Sequence, residues 1–328
     1  MRKLLVKVLV YGLMMALVLV VLIRIFHLYF EYPIVTLNKN EVVNYEPGQS
    51  GSFVIGNRRM NFTEYNINNT GFNSFREFLP TSQDFEVALV GDSFIEGLHQ
   101  DYYNSIGKKI ERNLEEKVQV YEYGFSGNDL ADQLYLIDQL EKEMELIDAI
   151  YLYLKFDEDL ARDRYEVNTR ANLENSIAFK IKREVKLLSY LKGIGLIAPI
   201  AELPGNLKSF IKGQKPEQTK SVDSGVVDKK YISNLDKLLE CYPIDKGKTV
   251  FLIDKSITSE SFFSYCKAHG YRYVDFGVPL QKSEENTVLK YDPIKHWNNQ
   301  GREVLARVIS YDILKYHRIS SLDKQDKP

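Results

Sequence analysis

The chain has 328 residues, with 43 Lys and Arg against 45 Asp and Glu, for a net charge of −2. That balance argues against a nucleic-acid binder, which carries a basic excess, and a hydrophobic content of 44% argues against a disordered chain. Two Cys exclude a disulfide-dense scaffold and a multi-cysteine zinc site.

The first predicted element is apolar. Residues 8–23 hold no charge, and residues 4–30 are interrupted only by Lys7, Arg24 and His27. A helix of about 20 apolar residues crosses a bilayer. Arg2, Lys3 and Lys7 precede the run and Arg24 follows it. This bias puts the amino terminus in the cytoplasm and the remainder outside. A cleaved signal peptide is the competing reading, but the run is long for one and no small-residue cleavage site follows it. Residues 1–30 are therefore expected to be an uncleaved membrane anchor. Residues 31–80, rich in Asn, Tyr and Phe with little periodicity, are expected to be a lead-in that wraps the main domain.

From residue 81 onward strands and helices alternate. Short apolar runs at 86–91, 118–123, 149–154, 249–253 and 271–275 have the pattern of buried parallel strands. Helical spacing recurs at 103–116, 129–145, 231–240, 259–268 and 301–315, with Asn128 or Asp129 available to cap the second of these. Five strands with intervening helices predict a three-layer α/β/α sandwich around a five-stranded parallel sheet. Residues 160–228 break the alternation with a basic amphipathic stretch and a polar linker. We read them as an insertion into a domain spanning 81–328. Its amphipathic helix either packs on its own domain or touches lipid, or acts as a lid.

The chemistry-bearing residues lie where strands end. In open α/β sheets, ligands bind outside the carboxyl ends of the strands. The first strand runs into Gly91-Asp92-Ser93-Phe94-Ile95-Glu96-Gly97, which exposes Ser93 on a strand-to-helix turn. The second runs into Phe125-Ser126-Gly127-Asn128-Asp129, where Gly127 allows close backbone approach to a ligand at a helix amino terminus. Near the carboxyl end stands Asp292-Pro293-Ile294-Lys295-His296-Trp297. A serine nucleophile needs a general base, and the base needs a group to hold its tautomer. His296 is placed to be the base and Asp292 to orient it. Of the other four His, His27 belongs to the anchor, His99 lies in a polar loop, and His269 and His317 fall at helix ends.

In these blocks the chain resembles the SGNH/GDSL hydrolases over roughly residues 60–315, with the insertion interrupting. The segment from Tyr65 to Phe72 also looks like one that precedes this domain in membrane-anchored bacterial members. The resemblance implies the flavodoxin-like SGNH fold, Ser93 as nucleophile, His296 as base, and the backbone N–H groups of Ser93 and Gly127 as oxyanion donors. It implies hydrolysis of acyl esters, often acetyl groups on cell-surface carbohydrate, in the bacterial envelope. Transfer of the acyl group to a sugar hydroxyl uses the same residues. A serine ester hydrolase needs no cofactor. Two positions depart from the family pattern. Glu158 stands where an Asn donates to the oxyanion, and an ionised carboxylate cannot donate. Burial could keep Glu158 protonated, Asn128 could substitute, or the domain is a catalytically silent binder of glycan or a partner. Asp292 lies four residues before His296, where two or three are usual. Elsewhere, Cys241 and Cys266 could pair in an oxidising compartment. Asn61 and Asn68 open glycosylation sequons, and no metal cluster or nucleotide fingerprint is present.

Overall fold

The computed structural model describes residues 1–56, 59–167, 176–196, 224–284 and 296–317. Helix α1 (Arg2–Ile25) carries the apolar run. It is long and apolar enough to cross a membrane, a test that a signal sequence also passes, and only 6% of its most apolar window is buried within the protein.

After α1 the chain forms two antiparallel pairs that the sequence pattern did not announce. Strand β1 (Val35–Leu37) pairs with β2 (Val43–Tyr45), and β3 (Ser50–Ile55) pairs with β4 (Asn61–Asn66). Their inward side chains make a small core in which Val35, Val43, Tyr45, Phe53 and Tyr65 meet Leu98 and Phe125. The last two belong to the loops that follow the first two strands of the main sheet. Asn68 is buried, and its Oδ1 accepts the N–H of Thr70 and of Phe72. Asn61 donates to the carbonyl of His99. Both amides are engaged in hydrogen bonds within the fold.

The main sheet has five strands, all parallel: β5 (Phe85–Gly91), β6 (Val118–Gly124), β7 (Ala149–Leu154), β8 (Thr249–Ile253) and β9 (Arg272–Asp275). Their spatial order is β6-β5-β7-β8-β9. All residues of β7 and β8 are buried, as expected where helices cover both faces. On one face lie α4 (Leu130–Gln139), α5 (Glu141–Leu146), α9 (Ser224–Cys241) and α10 (Glu260–His269), joined to the sheet through Leu134, Met144, Leu238 and Phe262. On the other lie α3 (Ile106–Asn113), α11 (Gly277–Glu284) and α12 (Asn299–His317), through Ile110, Leu280 and Ile309. This is the expected three-layer sandwich, led by an apolar helix. Two short helices, α2 (Ser93–Glu96) and α6 (Phe156–Asp159), sit at the carboxyl ends of β5 and β7.

The helix expected over 129–145 is interrupted at Leu140, and nothing in the local sequence marks the break. In residues 160–228, expected to be an insertion, the amphipathic stretch forms α7 (Ile177–Glu184) and α8 (Lys186–Gly193), while the polar linker at 213–225 lies almost entirely outside the described residues. Cys241 and Cys266 are not bonded to each other. Cys241 is exposed, whereas Cys266 is buried, and burial pushes its thiol up to about 12.

Candidate active site

Strand β5 lies between β6 and β7, so the chain leaves it at the point where strand order reverses. That crevice is where open α/β sheets bind ligands. Asp92 caps α2 by accepting the N–H of Phe94 at 2.9 Å, and Ser93 opens the helix. His296, from the segment leading into α12, comes within hydrogen-bond distance: its Nε2 lies 2.8 Å from Ser93 Oγ, across 203 residues of sequence. The two residues singled out from sequence therefore meet. Asp292 lies outside the described residues.

Packing fixes the His296 ring. The Phe94 and His99 rings lie tilted against it, at 4.6 and 4.4 Å between centroids. Trp297 is buried among Phe94, Tyr153 and Phe276. Arg302 donates to the carbonyls of Trp297 and Asn104, which ties this segment to the loop before α3. The position of His99 differs from the polar loop expected for it: it is buried, with 6% exposure. Burial first, then the neighbouring His296 and Arg302, hold its pKa well below the ordinary range, so it stays neutral. Its one sequence signal is Leu98, which draws the loop inward by joining the lead-in core.

The second loop is built with equal care. Gly124 ends β6 under α2, where a Cβ would collide with the backbone nitrogen of Glu96. Gly127 has φ +87°, which favours glycine. It lies in a turn closed by the Asn128 N–H on the Phe125 carbonyl. Glu96 Oε1 accepts the Ser126 N–H at 2.8 Å and the Tyr45 hydroxyl at 2.7 Å. Asp129 caps α4 in a reciprocal box with Asp132, and Arg162 clamps both carboxylates. Glu96, Tyr45 and Arg162 were not among the expected site residues, because nothing local in the sequence relates them to Gly127.

Glu158 lies on α6 with its side chain 68% exposed. It is therefore not buried, which corrects that expectation. It accepts a hydrogen bond from Lys155, whose ammonium also pairs with Asp92 at 2.9 Å. Burial works to lower the Lys155 pKa, but Asp92 and Glu158 outweigh it, so the ammonium is held charged, above its ordinary range. A fixed cation thus sits beside the residue preceding Ser93. Asp159 is buried and accepts the Lys155 N–H at 2.7 Å, and burial raises its pKa to about 8.

A cavity of about 380 Å³ is lined by Phe94 and Trp297, the residues that follow Ser93 and His296 in the chain, with Tyr153 and Phe276 as further aromatic walls and Lys155 and Asp254 among its polar groups; neither Ser93 nor His296 lines it. Among the described residues, no group of three or more His, Cys, Asp or Glu could hold a metal ion.

Fold and site together define an α/β sandwich with a Ser–His pair at the carboxyl edge of the strand where the order reverses. No protein-family model matches the chain, and no curated protein matches it. Among solved structures it is similar to a member of the lipolytic G-D-S-L family from Veillonella parvula, at 13% identity over 72% of this chain and all of that one, with a TM-score of 0.36. It is also similar to the psychrotrophic esterase EstA from Pseudoalteromonas sp., at 11% identity over 72% of this chain and all of that one, with a TM-score of 0.40. A carbohydrate acetylesterase family member from Sinorhizobium meliloti matches at 9% identity over 72% of this chain and all of that one, with a TM-score of 0.37.

Proposed function

We propose that the protein is a membrane-anchored SGNH/GDSL-type serine esterase that hydrolyses short acyl esters outside the cytoplasm. The observation that carries this reading is the 2.8 Å hydrogen bond between Ser93 Oγ and His296 Nε2. In the reaction, Ser93 Oγ attacks the acyl carbonyl as His296 takes its proton. The N–H groups of Ser93 and Gly127 donate to the oxyanion, and Asn128 stands next to them. His296 returns the proton to the leaving alcohol, and Asp292 keeps the imidazole oriented. Water then attacks the acyl-enzyme, with His296 again as base, and frees Ser93. Helix α1 is the anchor, with its basic start in the cytoplasm. The aromatic and polar cavity beside the pair suits a sugar-borne acetyl ester. Transfer to a sugar hydroxyl would differ only in the acceptor.

Full-length protein in detergent, assayed with aryl acetates, tests this reading. Ser93→Ala is expected to lower turnover by at least about 10³-fold, and a fluorophosphonate is expected to label the parent but not the variant. Absence of both turnover and labelling would overturn the esterase reading. It would favour a silent ligand-binding domain, the reading that Glu158 at the usual oxyanion Asn position supports.

A further inference from the structure

Where α1 ends, one further helix meets it and a second packs on that one. Helix α8 packs against α1. Along the last turns of α1, Leu19 and Val20 are half-buried and Ile23 is fully buried, whereas Leu17 and Val18 are 64% and 56% exposed. Just past α1, the Phe30 N–H donates to Ser189 Oγ at 3.0 Å, and the Ser189 hydroxyl donates back to the Phe30 carbonyl at 2.9 Å. Lys186 and Lys192 on α8 lie over the rings of Tyr29 and Tyr32. The chain leaving α1 is thus fastened to α8 at several points.

This fastening sets a depth. A hydrocarbon layer of about 30 Å takes about 20 helical residues. Counted back from Arg24, the first charge beyond the run, residues 4–23 fill it. The stripe at Leu19, Val20 and Ile23 then lies in the outermost turn of that layer, and α8 lies beside it. Helix α7 packs on α8 in turn. At four-residue spacing along α7 and its carboxyl cap, Ile177, Ile181 and Val185 are 77%, 48% and 42% exposed. Such an apolar stripe is costly in water. Lys180, Arg183, Lys186 and Lys192 supply basic groups on the same two helices. An exposed apolar stripe with basic residues is the composition of a helix lying in a bilayer interface.

We propose that α7 and α8 form an interfacial foot. It lies in the boundary between headgroups and acyl chains of the outer leaflet, with its apolar stripe in the acyl region and its basic residues at the lipid phosphates. This rests on the reading of α1 as a membrane span. The foot and the span together hold the domain at two points, so that it does not swing freely on a single tether.

Nitroxide labels on full-length protein in vesicles of phosphatidylethanolamine and phosphatidylglycerol test the proposal. The background carries Cys241→Ser, and labels are placed at Ile177→Cys and Ile181→Cys, with Met14→Cys on α1 and Tyr311→Cys on the exposed face of α12 as references. Collisions with oxygen are expected to exceed collisions with a water-soluble nickel chelate several-fold at residues 177, 181 and 14, and the ratio is expected to invert at 311. Nickel access at 177 and 181 equal to that at 311, with 14 protected, overturns the foot and leaves the span intact. Nickel access at 14 overturns the span and the foot with it. Dipolar broadening between labels at 181 overturns the lipid contact in favour of a second copy of the chain covering the stripe.

Discussion

Glu96 shows how one residue can connect distant parts of a site. Its buried carboxylate joins a strand of the lead-in, through Tyr45, to the turn that carries Gly127, through Ser126. In Tyr45→Phe the buried Glu96 carboxyl loses a hydrogen bond, and such bonds contribute about 0.5–1.5 kcal/mol, so thermal unfolding is expected to occur at lower temperature. In Glu96→Ala the Ser126 N–H loses its acceptor and the Gly127 turn slackens. Because small misplacements are costly in catalysis, kcat for an aryl ester is expected to fall by about 10–100-fold with KM little changed. Glu96→Gln retains an acceptor oxygen and is expected to recover most of the rate. Unchanged kinetics in Glu96→Ala would mean that the turn holds itself. Sequence made Ser93, Gly127 and His296 legible because each sits beside a recognisable strand end or block. Glu96, Lys155 and His99 were hidden because their partners are tertiary: Tyr45 is 51 residues away and His296 is 197 positions beyond His99.

At the level of elements, legibility followed the strength of the repeating pattern. The five main strands are continuous apolar runs buried on both faces, and the structure places all five within a residue or so of the expected bounds. The pairs β1–β2 and β3–β4 were illegible because short strands rich in Asn and aromatics lack both a continuous apolar run and a two-residue turn signal. The junction of β6 with α2 carries the sharpest steric demand. A methyl group at Gly124 would collide with the backbone of Glu96, and backbone cannot rotate away as a side chain can. Gly124→Ala is expected to destabilise the protein by at least about 3 kcal/mol, the upper end of ordinary overpacking, read as a lower denaturant midpoint. A stability unchanged from the parent would show that α2 can shift to make room.

The whole molecule has a predictable response to pH. Burial raises Glu122 to about 7 and Asp159 to about 8. Both remain protonated in the folded protein under conditions that ionise them in the unfolded chain, so the folded state binds more protons and stability falls as pH rises. The buried imidazoles of His99 and His317, with lowered pKa values, act in the opposite sense. That effect is complete once pH exceeds the unfolded histidine value, near 6.5. Between pH 6.5 and 8.5 these carboxylates dominate, joined near the upper end by the buried Cys266 thiol in the same sense, and stability is expected to fall on the order of 2 kcal/mol. Chemical denaturation across that range measures it. Glu122→Gln, which keeps an acceptor for the Gly107 N–H, is expected to flatten part of the slope.

Trp297 is the only tryptophan in the chain, and it follows His296 directly. It is buried, against Phe94 and Phe276, and it lines the cavity beside the Ser–His pair. The indole emission of the protein therefore comes from a single point at the site. A ligand entering the cavity, an acyl group resting on Ser93, or a displacement of the His296 segment is expected to alter that emission, because each changes the surroundings of this one indole. The molecule carries its own optical reporter, and occupancy of the site can be followed in real time without a chromogenic substrate or an attached dye.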